Sequence, residues 1–155
     1  MNTDAEGRLI LADAICYAQK LGAKKIVDAA TLTGAIVVAL GNQAAGLLGS
    51  PQAWVDDIMQ ASERAGDRLW QLPLFDEYAD QLKSDIADVA NVGGRAAGTI
   101  TAAMFIKQFI DAGVDWAHLD IAGTAWTEKD LPYLAKGPTG LPVRTFVALA
   151  GAKTS

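Results

Sequence analysis

The sequence predicts an α/β fold, with a central mostly parallel or mixed β-sheet flanked by helices. Helix-like segments alternate with short apolar, strand-like segments, and Gly and Pro separate them at short intervals. The 155 residues are 51% apolar, which is enough to bury one compact core. We therefore assign residues 1–150 to a single domain and expect residues 151–155 to form a disordered tail.

The chain opens with a helix, a strand and a turn. Glu6 to Leu21 predicts a helix with two adjoining apolar faces, which should be buried on more than one side, and Gly22 is its stop signal. Lys25 to Ala30 predicts a short strand, and Thr31 to Gly34 predicts a polar turn. Ala35 to Leu40 is apolar throughout, so its periodicity does not distinguish a helix from a strand.

A second strand and helix follow. Ala44 to Leu48 predicts a short strand. Residues 51–65 predict a helix with Ser50 as its N-cap, a proline in its first turn and Gly66 at its end. Leu69 to Leu72 predicts a short extended segment.

The second half of the chain continues the alternation. It begins with a helix over Asp76 to Leu82, an edge segment over Ser84 to Val89 and a Gly-rich loop over Asn91 to Gly98. A helix over Thr99 to Ala112 and a strand over Trp116 to Ile121 follow. The last predicted elements are a loop over Ala122 to Lys136 and a helix over Pro142 to Ala150. Chemistry in such folds gathers at the carboxyl ends of strands. The turns after Ala30, Val89 and Ile121 are therefore the places where a site is expected.

Bulk properties restrict the function. The net charge of −5 disfavours binding to nucleic acid. The lone Cys16 has no partner for an internal disulfide and is predicted to be a small core residue. Residues 1–4 do not resemble a signal sequence, and the longest apolar run, Gly34 to Gly41, is too short to span a bilayer. These features predict a cytoplasmic protein that binds neither nucleic acid nor membrane.

The richest cluster of chemical groups lies near residue 1. In extended backbone, Asp4 and Glu6 would point to the same side and could face one divalent cation or a pair of them. Arg8 adds a fixed positive charge that could hold an anion. The spacing alone favours a simpler alternative, in which Asp4 caps the following helix and Glu6 is a first-turn carboxylate.

The composition of the whole octet Asn2 to Leu9 favours metal binding over the capping interpretation. It matches over eight residues the signature of the leucyl (cytosol) aminopeptidase family, which the chain resembles from Asn2 to about Ala150. Four later segments are also similar to this family, namely Asp28 to Gly34, Ser84 to Asp88 with the Gly-rich loop after it, His118 to Gly123, and Gly137 to Gly140. The resemblance makes residues 1–150 the C-terminal part of an aminopeptidase catalytic domain.

The resemblance implies a reaction and a set of roles. The reaction is hydrolysis of the N-terminal residue from a peptide, assisted by two divalent metal ions, Mn²⁺ or Zn²⁺, in a homo-oligomer that is a hexamer in this family. Asp4 would be a metal ligand, Glu6 a ligand bridging both metals, and Arg8 a catalytic residue that binds a bicarbonate ion. The residues implied to contact the peptide substrate are Thr31, Leu32, Gly34 and Ala122.

The chain also departs from the family's pattern. Members carry a long stretch before the octet, with further metal ligands and a lysine that acts on the transition state, and no such stretch precedes Asn2. Two carboxylates alone should bind divalent ions weakly, so we expect the isolated chain to be an inactive fragment. Two alternatives are a non-catalytic assembly module and a nucleotide-binding protein, the latter resting only on the loop Gly93 to Gly98.

Other conspicuous residues are assigned structural roles. His118, the single histidine, is predicted to be a hydrogen-bonded strand residue, since one histidine supplies neither a triad nor a histidine-rich metal site. Asp120, at the end of the same strand, is predicted to make a structural hydrogen bond. The four tryptophans are predicted to lie in the core or at subunit contacts.

Overall fold

The structure, a computed structural model, describes residues 4–82 and 96–151 and confirms the α/β prediction. The helices are α1 (Asp4–Lys20), α2 (Gly34–Leu40), α3 (Gln52–Ala65), α4 (Gly98–Lys107) and α5 (Val143–Gly151), with a 3-10 helix over Asp76–Leu82. The strands are β1 (Lys25–Ala30), β2 (Ala45–Ser50), β3 (Leu69–Gln71), β4 (Asp115–Asp120), β5 (Trp126–Thr127) and β6 (Gly137–Pro138).

The main sheet is mixed and has the strand order β1-β4-β2-β3. β1 runs parallel to β4 and β2 runs parallel to β3, but β2 and β4 are antiparallel. The carboxyl ends of β1 and β4 therefore meet at one edge of the sheet, whereas those of β2 and β3 point to the opposite edge. β5 and β6 form a separate two-stranded ribbon.

The central strand β4 is buried on both faces because helices cover both sides of the sheet. Trp116 belongs to the apolar cluster that includes α1 and α4, whereas Ala117 and Leu119 belong to the cluster that includes α3. The alternating side chains of one strand thus enter two cores, which follows from the twofold side-chain period of a strand.

The sequence-based prediction for α1 is wrong in one respect. Only one face of α1 is buried, through Ala12 and Ile15, whereas Leu9, Ile10 and Tyr17 are exposed. Among the described elements, α1 packs against α4 and so needs only one apolar stripe. Cys16 lies at the edge of this face and is half-buried, not a core residue.

The N-terminal ends of α2 and α3 show how each helix is capped. One settles a segment that the sequence left undecided, and the other corrects a prediction. The apolar segment after the first turn is the helix α2, because Thr33 adopts extended backbone and its side chain accepts a hydrogen bond from the Ile36 amide. The prediction that Ser50 caps α3 is wrong, since Ser50 ends β2 and pairs with Trp116. Pro51 occupies the N-cap position without a side-chain hydrogen bond, and Gly66 ends α3 in the left-handed conformation as expected.

The remaining differences concern the ends of elements. α4 ends at Lys107, five residues before the predicted end at Ala112, and two turns lead from there into β4. Gly151, the first residue of the predicted tail, is the last residue of α5. The predictions for Ser84 to Val89, for residues 91–95 of the Gly-rich loop and for residues 152–155 fall outside the described residues.

Candidate functional site

The carboxyl ends of β1 and β4 carry two neighbouring loops. Ala30 and Asp120, the last residues of these strands, are partners in the strand register. The Ile121 amide donates a hydrogen bond to the Ala30 carbonyl at 2.9 Å, which continues the pairing into the loops. We call residues 31–34 the first loop and residues 122–125 the second loop. The first loop carries Thr31, Leu32 and Gly34, and the second carries Ala122.

Asp120 is fully buried and binds both loops through one carboxylate. Its Oδ1 accepts hydrogen bonds from the amides of Leu32 at 3.1 Å and Thr33 at 3.4 Å in the first loop. The same oxygen accepts a hydrogen bond from the Ala122 amide at 3.3 Å in the second loop. The prediction of a structural hydrogen bond at Asp120 is therefore confirmed, and the bond joins the loops on which all four expected substrate-contacting residues lie.

Thr33 extends this network into α4. Its hydroxyl donates to Asp120 Oδ2 at 2.6 Å and lies 2.8 Å from the hydroxyl of Thr99, in the first turn of α4. Thr33 and Thr99 are both buried. Neither threonine was singled out from the sequence, because their partners lie 66 to 87 residues away and no local pattern marks such contacts.

The second loop is also held from its far side. Thr139 donates its amide to the Ala125 carbonyl at 3.0 Å and its hydroxyl to the Thr124 carbonyl at 2.7 Å. At Gly123, an added Cβ would lie 2.0 Å from the carbonyl oxygen of Gly41, at the end of α2. Only glycine fits this contact, so the second loop packs directly against the helix that follows the first loop.

The acidic residues of the octet lie in the first turn of α1. Asp4 is the first residue of the helix and Glu6, which is exposed, is the third. The expectation that both carboxylates share one side rests on extended backbone, whereas the backbone here is helical. The first-turn placement of Glu6 agrees with the simpler alternative, and Asp4 is the first described residue of the helix.

A metal site needs several ligating groups among the side chains that the structure describes. Among them, no group of three or more His, Cys, Asp or Glu side chains could hold a metal ion. Arg8, one turn further along α1, is 6% exposed, so its guanidinium brings a positive charge and several donors into the protein interior.

His118 forms a buried cluster with the neighbouring strand. Its Nδ1 lies 2.5 Å from Asp28 Oδ1, and the other oxygen of Asp28 accepts a hydrogen bond from Trp116 Nε1 at 2.8 Å. The prediction of a hydrogen-bonded strand residue is confirmed. Trp54 and Trp116 are buried in the core, as predicted. Trp70 and Trp126 are exposed in the described chain, and for them a subunit contact stays a prediction.

An apolar groove of about 540 Å³ lies beside α2 and the start of α4. Ala35, Val38, Ala39 and Leu72 line it together with residues 97–100. None of the four expected substrate-contacting residues lines this groove, but it adjoins the first loop, since Ala35 follows Gly34 and Thr99 is hydrogen-bonded to Thr33. In the described ranges, no helix combines the length and apolar character needed to cross a membrane.

Comparison with known proteins gives the family. The catalytic domain of the cytosol aminopeptidase family (peptidase M17) matches residues 1–147, and the chain therefore belongs to this family. A "probable cytosol aminopeptidase" of Solibacter usitatus (strain Ellin6076) is 59% identical over 150 residues, which are 97% of this chain and 31% of that protein. One from Geobacter sp. (strain M21) is 57% identical over 146 residues, which are 94% of this chain and 30% of that protein.

A solved structure agrees with these relatives. A tomato leucine aminopeptidase mutant is 45% identical and superposes with a TM-score of 0.89. The match covers 96% of this chain and 28% of the tomato chain. The chain thus spans about 30% of the length of the aminopeptidases that it resembles, and the fold described here is part of theirs.

Proposed function

We propose that this chain provides part of the active site of a two-metal leucyl aminopeptidase, which releases the N-terminal residue from peptides. The observation that carries the proposal is the match of the cytosol aminopeptidase catalytic domain to residues 1–147. The two loops at the carboxyl ends of β1 and β4 support it, because ligands of α/β proteins bind outside the carboxyl ends of strands.

In this proposal the two loops bind the peptide substrate. Thr31, Leu32 and Gly34 hold the peptide backbone and the first side chain, and Ala122 forms part of the wall beside that side chain. Support comes from Asp120, whose carboxylate brings the amides of both loops within 3.4 Å of one oxygen atom. Loops fixed by a buried anion can hold a substrate in one orientation.

The octet supplies the ionic part of the proposal. Asp4 and Glu6 would serve as ligands of two divalent ions, Mn²⁺ or Zn²⁺, which lower the pKa of a bound water and polarise the peptide carbonyl. This role requires further ligands from elsewhere in the enzyme, because two carboxylates are too few for two ions. Arg8 would bind the bicarbonate ion, an assignment that its buried positive charge supports.

The wider setting is also proposed from the family. We expect a homo-oligomeric, hexameric enzyme in the cytoplasm, acting on peptides and binding neither nucleic acid nor membrane. The acidic net charge of −5 and the names of the cytosol aminopeptidase relatives support this setting.

A polypeptide of these 155 residues alone should neither hydrolyse leucine anilide nor bind Mn²⁺ tightly, since two carboxylates are too few ligands for two ions. The test is hydrolysis of a leucine anilide in excess Mn²⁺, with calorimetric titration of the metal, for this polypeptide and for an Asp4→Asn, Glu6→Gln double variant. Metal-dependent turnover that the double variant loses would contradict the expected inactivity and support the octet as a metal site.

Inactivity has a second interpretation, which the same preparation can test. Exposed apolar side chains such as Ile10 and Val38 favour the assembly module as the second candidate function. A single discrete oligomer in sedimentation, together with no hydrolysis after the remaining polypeptide of a complete relative is added, would favour the module. Hydrolysis that appears only after this addition would favour the aminopeptidase.

A further inference from the structure

The network around Asp120 joins two loops that lie far apart in the sequence. Leu32 and Thr33 are 88 and 87 residues from Asp120, whereas Ala122 is only two residues away. The carboxylate is 0% exposed, so no water competes for these bonds in the structure. Because amides of both loops donate to the Asp120 carboxylate, a movement of either loop must stretch or break its hydrogen bonds to that carboxylate.

The direction of each hydrogen bond at Thr33 follows from proton counting. A carboxylate only accepts hydrogen bonds, so the single hydroxyl proton of Thr33 is used in its bond to Asp120 Oδ2. The bond between the two threonine hydroxyls must then be donated by Thr99. The two lone pairs of Thr33 Oγ1 accept from Thr99 and from the Ile36 amide at 3.3 Å. Every hydrogen-bonding position of the Thr33 hydroxyl is therefore occupied.

We propose that Asp120, acting through Thr33, is a positioning residue that sets the distance between the two substrate-binding loops and thereby the selectivity for the first side chain of the peptide. The inference rests on the proposed function, because it takes the first and second loops as the two sides of the substrate site. Asp120 itself does not touch the substrate. Its carboxylate fixes the amides of Leu32, Thr33 and Ala122, and those fix the loops.

The chain offers a matched pair of sites for testing this. Thr33 and Thr145 are both buried threonines whose hydroxyls donate to a buried aspartate, at 2.6 Å to Asp120 and at 2.7 Å to Asp67. Replacing either threonine with valine removes one hydroxyl and leaves a buried carboxylate oxygen short of a donor. Thr33 is part of the first loop, whereas Thr145 lies in α5. Thr33→Val also removes the N-cap of α2, so a purely structural role predicts a loss of stability in both variants with the selectivity for the first side chain unchanged. A positioning role predicts a changed selectivity in Thr33→Val alone.

The first measurement is amide hydrogen exchange in the chain itself, which needs no catalytic activity. Thr33→Val should raise the exchange rate of the Ala122 amide by about tenfold or more, because the carboxylate that accepts from this amide is then no longer fixed through its second oxygen. Thr33→Ser keeps the hydroxyl and should restore slow exchange. Thr145→Val should leave the exchange of Ala122 unchanged. Equal exchange of Ala122 in the valine and serine variants of Thr33 would overturn the proposal.

The second measurement uses the complete, metal-loaded enzyme that contains these residues. Thr33→Val should lower kcat/KM for leucine anilide by roughly 10- to 100-fold, the cost of a misplacement of about 1 Å. The ratio of kcat/KM for leucine to that for alanine anilide should also fall, by about fivefold or more. Thr145→Val should leave this ratio unchanged, and Thr33→Ser should restore it.

The two measurements separate failure of the inference from failure of the proposed function. If the complete enzyme hydrolyses no anilide, the proposed function fails, whereas the exchange of Ala122 still decides whether the two loops are coupled. If the enzyme is active and the leucine-to-alanine ratio is the same in Thr33→Val and Thr145→Val, the positioning role is overturned while the proposed function stands.

Discussion

His118 is a buried strand residue whose hydrogen bond depends on one side chain of the neighbouring strand, that of Asp28. The Asp28 carboxylate accepts from Trp116 Nε1 with one oxygen, so its other oxygen is the acceptor available to His118 Nδ1. His118 Nε2 is buried and has no hydrogen-bond partner in the described chain. A neutral ring that carries its proton on Nδ1 satisfies this arrangement, because Nε2 then has no proton to place.

Asp28→Asn should therefore change the tautomer of His118. The amide oxygen of the new side chain must face the Trp116 indole, which can only donate, so the amide nitrogen faces His118 Nδ1. The ring then accepts at Nδ1 and carries its proton on Nε2. The imidazole ¹⁵N chemical shifts distinguish the two forms, and the single histidine of the chain makes the assignment unambiguous. Unchanged ¹⁵N shifts in a folded variant would contradict the expected exchange.

At the scale of elements, α5 is fixed by a residue of a distant turn. Asp67 follows α3 and its side chain is buried, and it accepts hydrogen bonds from the amide of Thr145 at 3.2 Å and from the hydroxyl of Thr145 at 2.7 Å. Arg144 adds a charged hydrogen bond at 2.7 Å, although its side chain is mostly exposed. Asp67 thus serves as an N-terminal cap for α5 from outside the helix.

Asp67→Ala should lower the free energy of unfolding by about 1–3 kcal/mol, because the buried amide and hydroxyl of Thr145 lose their acceptor. Arg144→Gln is the matched control and should cost at most about 1 kcal/mol, since an exposed charge is screened by water. Urea denaturation of both variants measures the difference. Equal losses in the two variants would show that the exposed ion pair, and not the cap, holds α5.

The whole molecule is organised around strands that are shared by two cores. Leu48 and Trp116 belong to the cluster beside α1 and α4, whereas Leu47, Ala117 and Leu119 belong to the cluster beside α3. Because β2 and β4 contribute to both clusters, neither core can be lost without exposing the other face of the same strands. We therefore expect the described layers to unfold as one cooperative unit.

Leu47→Ala and Leu48→Ala test this expectation on adjacent residues of β2 that are both 0% exposed. Each substitution leaves a cavity in a different core and should cost about 2–5 kcal/mol. Tryptophan fluorescence and far-UV circular dichroism should report the same single transition for each variant, shifted to lower denaturant. Two separate transitions in either variant would show that the cores unfold independently.

Much of the fold could be predicted from the sequence because its signals are local. β1 was predicted with its observed bounds, Lys25–Ala30, since an apolar run between Gly22 and a polar turn is a pattern of adjacent residues. The end of α3 at Gly66 followed from the same kind of signal. The prediction for Ser50 is wrong because a serine before a helix is a suitable N-cap, whereas its position in β2 depends on pairing with β4. Neighbouring residues do not encode that pairing.

The sequence by itself determined the family, the alternation of helices and strands, and the residues expected at the site, because short motifs and periodicity lie in neighbouring positions. Only the tertiary structure decided that β4 lies between β1 and β2, that β2 runs against it, and that one face of α1 stays exposed. It also decided the role of Asp120. Hydrogen bonds across 87 and 88 residues depend on how strands are ordered in space, and no local pattern encodes that order.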